Sequence, residues 1–101
     1  MYVQMISVKV PLGSMQVFRR LIETEYLRLA RQQPGYVRHY LLEQVDDADR
    51  AQVLTVWENQ TTLETFHKTG SLGMAQRALY EALPGLVLQS QGYVVRSQPD
   101  A

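Results

Sequence analysis

The sequence predicts an α+β protein with the ferredoxin-like order β-α-β-β-α-β, a four-stranded antiparallel sheet with helices on one face. Three observations predict this class. Stretches rich in β-branched residues alternate with stretches whose apolar residues recur every three or four positions. Pro-Gly pairs punctuate them, and the chain has only 101 residues, enough for one core. We therefore expect one domain over residues 1–96 and a frayed tail over 97–101.

The first strand is expected over residues 2–10, which are rich in Val and end at Pro11. The Ser14 hydroxyl is expected to cap the helix that follows, over residues 15–32. An apolar stripe at helical spacing supports this helix. Its members are Met15, Phe18, Leu21, Ile22, Tyr26 and Leu29.

Two strands and a hairpin are expected next, over residues 36–44 and 51–58, joined by a polar turn. Strict alternation in the first of these strands places His39 on one face, with Val37 and Leu41. It places Tyr36 on the opposite face. Residues Arg38, Tyr40 and Leu42 share that opposite face.

A second helical region is expected from Asn59 or Thr61 onward, broken near Gly70 and ended by Pro84 and Gly85. A last strand is expected over residues 86–96. Helices on one face leave the other sheet face bare, yet the strands are apolar on both sides. The bare face is expected to carry Val3, Met5 and Ser7 or the residues that alternate with them, together with either the set Val53, Thr55 and Trp57 or the set Leu54 and Val56. We therefore expect a partner on that face, most simply a second copy of the chain.

Composition excludes several classes of protein. Ten basic and ten acidic residues give a formal net charge of zero, which argues against nucleic-acid binding and against an anionic membrane surface as partner. The absence of cysteine excludes disulfides, zinc–thiolate sites and thiol nucleophiles. No stretch approaches the length of a membrane span and no signal segment is evident, so we expect a cytoplasmic protein.

Several short motifs stand in a characteristic order. Pro34-Gly35-Tyr36-Val37 opens the second strand, Leu41-Leu42-Glu43 closes it, and Thr55-Val56-Trp57-Glu58-Asn59 ends the third. Leu63, Phe66 and His67 follow. This set, with its spacing, resembles the antibiotic biosynthesis monooxygenase family over roughly residues 2–96.

The resemblance implies a dimeric α/β barrel, in which two such sheets pack face to face. It also implies a cofactor-independent monooxygenase that acts on a small aromatic, phenolic or quinol-type substrate. In such members the deprotonated substrate itself supplies the electrons to dioxygen, so no cofactor is expected. A hydrophobic slot, a proton acceptor and hydrogen-bond donors are then required.

The haem-degrading branch of the family is disfavoured. It is characterised by an Asn on the first strand, a Trp in the second helix and an iron-ligating His ten residues later. Those positions fall near Ile6, on Phe66 and on Gln76 in this chain, and none of them matches.

His67 is the first candidate for the catalytic base and His39 the second, because imidazole exchanges protons near neutral pH. Tyr40 and Arg38 are candidate donors to the substrate anion. Trp57, Phe66 and Tyr80 are candidates for lining a slot that holds an aromatic ligand. For each of these residues, packing in the core or at a subunit contact is an alternative.

No metal site is expected, because Asp46, Asp47 and Asp49 lie on a polar turn without a rigid companion ligand. The alternative to an enzyme is a non-catalytic, ligand-binding or stress-associated dimeric barrel, and an isomerase or lyase is a weaker option. The fold hosts all of these, so the cleft between helices and sheet must discriminate between them. An open cleft with a histidine would favour an enzyme, and a filled one would favour binding.

Overall fold

The chain adopts the predicted order of strands and helices in a computed structural model that describes residues 1–99. The elements are β1 (Tyr2–Lys9), α1 (Met15–Ile22), a π-helical turn (Glu23–Leu27), α2 (Arg28–Ala30), β2 (Tyr36–Glu43), β3 (Arg50–Trp57), α3 (Gln60–Lys68), α4 (Ser71–Ala82) and β4 (Val87–Val94). The ferredoxin-like α+β prediction is confirmed. Of the predicted tail, residues 97–99 have no regular structure, and residues 100 and 101 lie outside the described residues.

The four strands form one sheet in the order β2-β3-β1-β4, and every neighbouring pair is antiparallel. Alternation along β1 and β3 decides which side chains meet the helices. Ile6, Val8 and Val53 are buried on the helix side. The largest fully buried side chains, Trp57, Tyr26, Phe18 and Phe66, fill the layer between sheet and helices.

The first helix is continuous over residues 15–30, but a π-helical turn at Glu23–Leu27 interrupts its α-helical spacing. A π turn has a wider spacing than an α turn, so it rotates the residues that follow relative to the buried stripe. Leu27 and Ala30 are therefore buried, and Leu29, expected in the stripe, is only partly buried. The spacing in the sequence does not reveal this extra residue.

A register shift between Tyr36 and Arg38 overturns one prediction for β2. Strict alternation places Tyr36 opposite His39, but the bulge at Val37 returns Tyr36 to the helix side. There its ring packs edge-on against Trp57, with ring centroids 5.9 Å apart. Tyr36 and His39 therefore lie on the same face.

The helix ends follow local rules with one exception. The Asn59 side chain accepts the Thr62 backbone N–H at 3.0 Å and caps α3. Gly70, with φ 85°, separates α3 from α4 as predicted. The expected cap by the Ser14 hydroxyl is wrong, because only the Ser14 carbonyl bonds into α1, accepting the Phe18 N–H.

The second face of the sheet is bare in the single chain. The set Val53, Thr55 and Trp57 lies under the helices, so the set Leu54 and Val56 lies on the bare face, in register with Met5 and Val3. Among the described residues, no helix is long and apolar enough to span a membrane.

Candidate functional site

The two histidines lie on the helix side of the sheet but at different places. His39, on the edge strand β2, lines an open groove of about 510 Å³ between β2 and α1. His67, in the last turn of α3, is half-buried and packs against the buried rings of Tyr26 and Phe66. The structure does not bring the two candidate bases into one cleft.

A buried polar network surrounds His67. The Tyr26 hydroxyl lies 2.8 Å from His67 Nε2 and 3.3 Å from Gln4 Oε1. Tyr26 is 1% exposed and Gln4 7%, so neither group has water as a ready alternative partner. Since one hydroxyl carries one proton, Tyr26 donates either to His67 or to Gln4 at a given moment. In the second case His67 donates Nε2–H to Tyr26.

Burial sets the protonation states of this network. It lowers the pKa of His67 below its ordinary value of 6.5, so the imidazole is neutral at pH 7. It also raises the pKa of Tyr26, so the phenol keeps its proton. A neutral imidazole can accept a proton from a substrate hydroxyl. The protonated phenol beside it can donate a hydrogen bond to the anion that results.

An apolar void adjoins this network beneath α4. Its volume is about 10 Å³, room for about one water molecule. The side chains around it come from β1, β4, the middle of the first helix and α4. They are Ile6, Ile22, Tyr26, Leu72, Ala75, Gln76, Leu79 and Leu88. Tyr26 is thus the residue shared by the void and the polar network.

Sequence reasoning missed Tyr26 and Gln4 as site residues. Tyr26 belongs to the apolar stripe of the first helix, and its hydroxyl gives no signal in a hydrophobic pattern. Gln4 does give a signal, because it shares the alternation parity of Ile6 and Val8 and is therefore a polar residue on the buried face of β1.

Trp57 and Phe66 stack on each other, with ring centroids 5.7 Å apart and an angle of 28° between the planes. Trp57 is 0% exposed, and its indole N–H donates to the Thr55 hydroxyl at 2.9 Å. No space for a ligand lies between the two rings. This geometry favours packing for both residues and not the slot that the sequence suggested as one possibility.

The remaining candidates lie away from His67. Arg38 and Tyr40 occupy the bare face of the sheet, and Tyr40 is 49% exposed. They are on the opposite side of β2 from His39 and cannot donate to an anion held at either histidine of the same chain. Tyr80 is exposed on α4 and lies outside the lining of the void.

The positions typical of haem-degrading members come together at the void, but their chemistry differs. Ile6 and Gln76 both line it, and Phe66 lies beside Tyr26. Neither an isoleucine nor a glutamine supplies the imidazole that ligates haem iron in such a site. The residues present do not fit haem. Within residues 1–99, no cluster of three metal-ligating side chains is found either.

Comparisons with known proteins place these features in context. A family model described as antibiotic biosynthesis monooxygenase matches residues 1–78. A search of curated proteins found no match.

Solved structures share the fold at low sequence identity. A mutant of SnoaB, a cofactor-independent oxygenase from Streptomyces nogalater, superposes with a TM-score of 0.80 at 21% identity, covering 99% of this chain and 98% of that one. A Deinococcus radiodurans protein named for antibiotic biosynthesis monooxygenase gives 0.83 at 15% identity, covering 100% and 98%. A mutant of MhuD, solved with two manganese protoporphyrin IX molecules in each active site, gives 0.75 at 20% identity and covers 100% of both chains. At these identities the likeness shows the fold.

Proposed function

The chain belongs to the antibiotic biosynthesis monooxygenase family, and on that premise we propose that it is a cofactor-independent monooxygenase. Its substrate is a small aromatic molecule of the phenol or quinol type, and its second substrate is dioxygen. The observation that carries the proposal is the network of His67, Tyr26 and Gln4, which meets an apolar void at Tyr26. The solved structure of SnoaB, a cofactor-independent oxygenase with the same fold, supports it.

The residues of the network have separate roles. His67 accepts the hydroxyl proton of the substrate, because burial holds the imidazole in its neutral form. When the substrate binds, Tyr26 redirects its single hydroxyl proton from its resting acceptors, Gln4 Oε1 or His67 Nε2, to the resulting anion. The electron-rich anion then reacts with dioxygen. One oxygen atom enters the substrate and the other leaves as water, with all four electrons supplied by the substrate.

Substrate entry requires α4 to move outward, because the void of about 10 Å³ is far smaller than an aromatic ring. The hinge for such a movement is Gly70, whose positive φ of 85° marks the junction of α3 and α4. Leu72 and Gln76 on α4 would move with it, since both line the void. The space gained would lie next to the Tyr26 hydroxyl.

A second candidate function has its own supporting observation. Trp57, Phe66 and Leu79 fill the layer between sheet and helices, each with 2% exposure or less. A filled layer fits a non-catalytic, ligand-binding or stress-associated barrel of the same family better than an enzyme with an open pocket. A measurement of turnover distinguishes the enzyme from the non-catalytic protein.

The test is oxygen consumption by the purified protein, without added metal, flavin or haem, over a panel of phenols and quinols. We expect turnover by the parent and a loss of about 10²–10⁴-fold in His67→Ala, the range typical for a positioned general base. His39→Ala is the matched control and should retain activity, because His39 lies in the outer groove.

Two outcomes would contradict the proposal. Undiminished oxygen consumption by His67→Ala would remove His67 from the mechanism. Absence of turnover by the parent over the whole panel would favour the non-catalytic function.

A further inference from the structure

Six aromatic rings form a continuous row from the interior to the outer groove. Successive ring centroids are 5.6 to 6.0 Å apart from His39 through Tyr36, Trp57 and Phe66 to His67. Tyr26 joins the inner end, 5.7 Å from Phe66 and 6.1 Å from His67.

Each end of the row consists of a tyrosine whose hydroxyl is hydrogen-bonded to a histidine nitrogen. Tyr26 contacts His67 Nε2 at the inner end, and Tyr36 contacts His39 Nδ1 at the outer end. This pairing matters for redox chemistry, because a phenol that loses an electron becomes a strong acid. A tyrosine is therefore oxidised readily only where a base stands ready to take its proton.

Trp57 occupies the middle of the row and is the only tryptophan of the chain. Its N–H donates to the Thr55 hydroxyl, and a hydroxyl is too weak a base to remove that proton. An oxidised Trp57 therefore keeps its proton as a radical cation. One electron alone restores the neutral indole.

We propose that the row is a one-electron relay that carries oxidising equivalents out of the core through Trp57 and Tyr36. In the transfer step, Tyr36 gives one electron to the Trp57 radical cation and its hydroxyl proton to His39 Nδ1. The products are neutral Trp57, a Tyr36 phenoxyl radical and a protonated His39. The function is protective and rests on the proposed function: a peroxyl-type radical, formed in the core from the substrate and dioxygen, takes one electron from Trp57 and becomes a peroxide anion, which leaves the Trp57 radical cation.

The direction of the relay follows from exposure. Tyr26 and Trp57 are 1% and 0% exposed, whereas Tyr36 is partly buried and His39 lines the open groove beside α1. Among the tyrosine and tryptophan rings of the row, only Tyr36 is more than 1% exposed, so a small one-electron donor of the thiol or ascorbate class meets the relay at Tyr36. It supplies the electron that restores Tyr36, and His39 returns the proton.

This inference goes beyond the proposed function, and its test needs no substrate. Because Trp57 is the only tryptophan, light absorbed by indole and not by phenol ionises this one residue. A laser flash generates the Trp57 radical, and transient absorption follows its decay and the rise of a tyrosyl radical. In the parent we expect a decay that is independent of protein concentration, as an intramolecular transfer requires, and slower in D₂O.

Two variants test the outer arm of the relay. Tyr36→Phe keeps the ring and removes the hydroxyl, so the Trp57 radical should live several-fold longer and the early tyrosyl signal should vanish. His39→Leu removes the proton acceptor and should slow the same step while abolishing its D₂O effect. The control is Tyr80→Phe, which removes an exposed tyrosine of α4 outside the row and should leave the decay unchanged.

The loss of the early tyrosyl signal in Tyr36→Phe can be interpreted only if the variant is folded. An unchanged thermal midpoint and unchanged Trp57 fluorescence establish this, and His39→Gln provides a second, milder removal of the base. A Trp57 radical that decays equally fast in Tyr36→Phe and in the parent would overturn the relay. Equal slowing by Tyr80→Phe would do the same, because it would show that any tyrosine serves.

Discussion

His67 is a residue whose environment makes stability depend on pH. Burial lowers its pKa from the ordinary value of 6.5, so the folded protein binds this proton more weakly than the unfolded chain does. As the pH falls below about 6.5, the unfolded chain takes up the proton first, and the free energy of unfolding decreases. Above that pH both states are neutral and the contribution is constant.

We therefore expect His67→Gln to flatten the decrease in stability between neutral and mildly acidic pH. Urea unfolding at a series of pH values measures it. His39→Gln is the matched control, because it removes the other histidine of the chain and leaves His67 in place. A decrease of equal size in the parent and in His67→Gln would show that His67 is not the group responsible.

Part of the candidate site could be predicted from the sequence. His67 could be selected because helical spacing puts it beside Phe66 and Leu63, on the buried side of α3. Its partner Tyr26 could not, because the contact joins positions 41 residues apart and depends on how the first helix turns over the sheet. Alternation assigns Arg38 and Tyr40 to one face correctly, but only the packed structure shows that this face lies away from the histidines.

Among the elements, the connection from the first helix into β2 depends on Gly35. Its φ is 87°, a left-handed conformation, and its carbonyl accepts the Glu58 N–H at 2.8 Å. A Cβ built on it would lie 2.5 Å from Thr62 Cβ on α3. The backbone of this turn and the start of α3 therefore approach too closely for any side chain.

Gly35→Ala should destabilise the fold for two reasons. A residue with a side chain pays about 1–2 kcal/mol to adopt the left-handed backbone conformation. In addition, the new Cβ would clash with Thr62. Gly13→Ala isolates the first reason, because Gly13 has φ 73° and nothing within 4 Å of its Cβ position. Chemical denaturation of both variants measures the difference. Equal losses of unfolding free energy in the two variants would mean that the Thr62 side chain moves aside without destabilising the fold.

Element order and type follow from the sequence here because each segment has a clear period and a clear stop. The π turn at Glu23–Leu27 and the bulge at Val37 do not follow. Each inserts one residue into a regular repeat. Contacts with other elements of the fold stabilise the insertion. The bulge, for example, brings Tyr36 against Trp57. The local sequence pattern does not predict such contacts.

For the whole molecule, the bare face of the sheet is the dominant unexplained surface. Leu54 lies at its centre, in register with Met5 on β1 and Tyr40 on β2. Large side chains toward its edges are half exposed, namely Tyr40, Leu42, Val87 and Tyr93. An open concavity of about 440 Å³ lies along one end of this face, reaching from Leu42 to Val87.

We expect a second copy of the chain to cover this face, giving a homodimer. A sheet with apolar side chains on both faces needs cover on both, and one chain supplies helices for only one of them. The zero net charge adds no long-range repulsion between two copies. An obligate interface of this kind buries about 2,000 Å² or more in total.

Sedimentation equilibrium at micromolar concentration should therefore show a dimer for the parent and a shift toward monomer for Leu54→Asp. A carboxylate at this central position would be buried without a partner in the dimer but hydrated in the monomer, so the substitution acts on association first. Met74→Asp is the matched control, because Met74 is 73% exposed on α4, on the opposite side of the molecule. A parent that sediments as a stable monomer, or a Leu54→Asp variant that stays fully dimeric, would show that the bare face is not the interface.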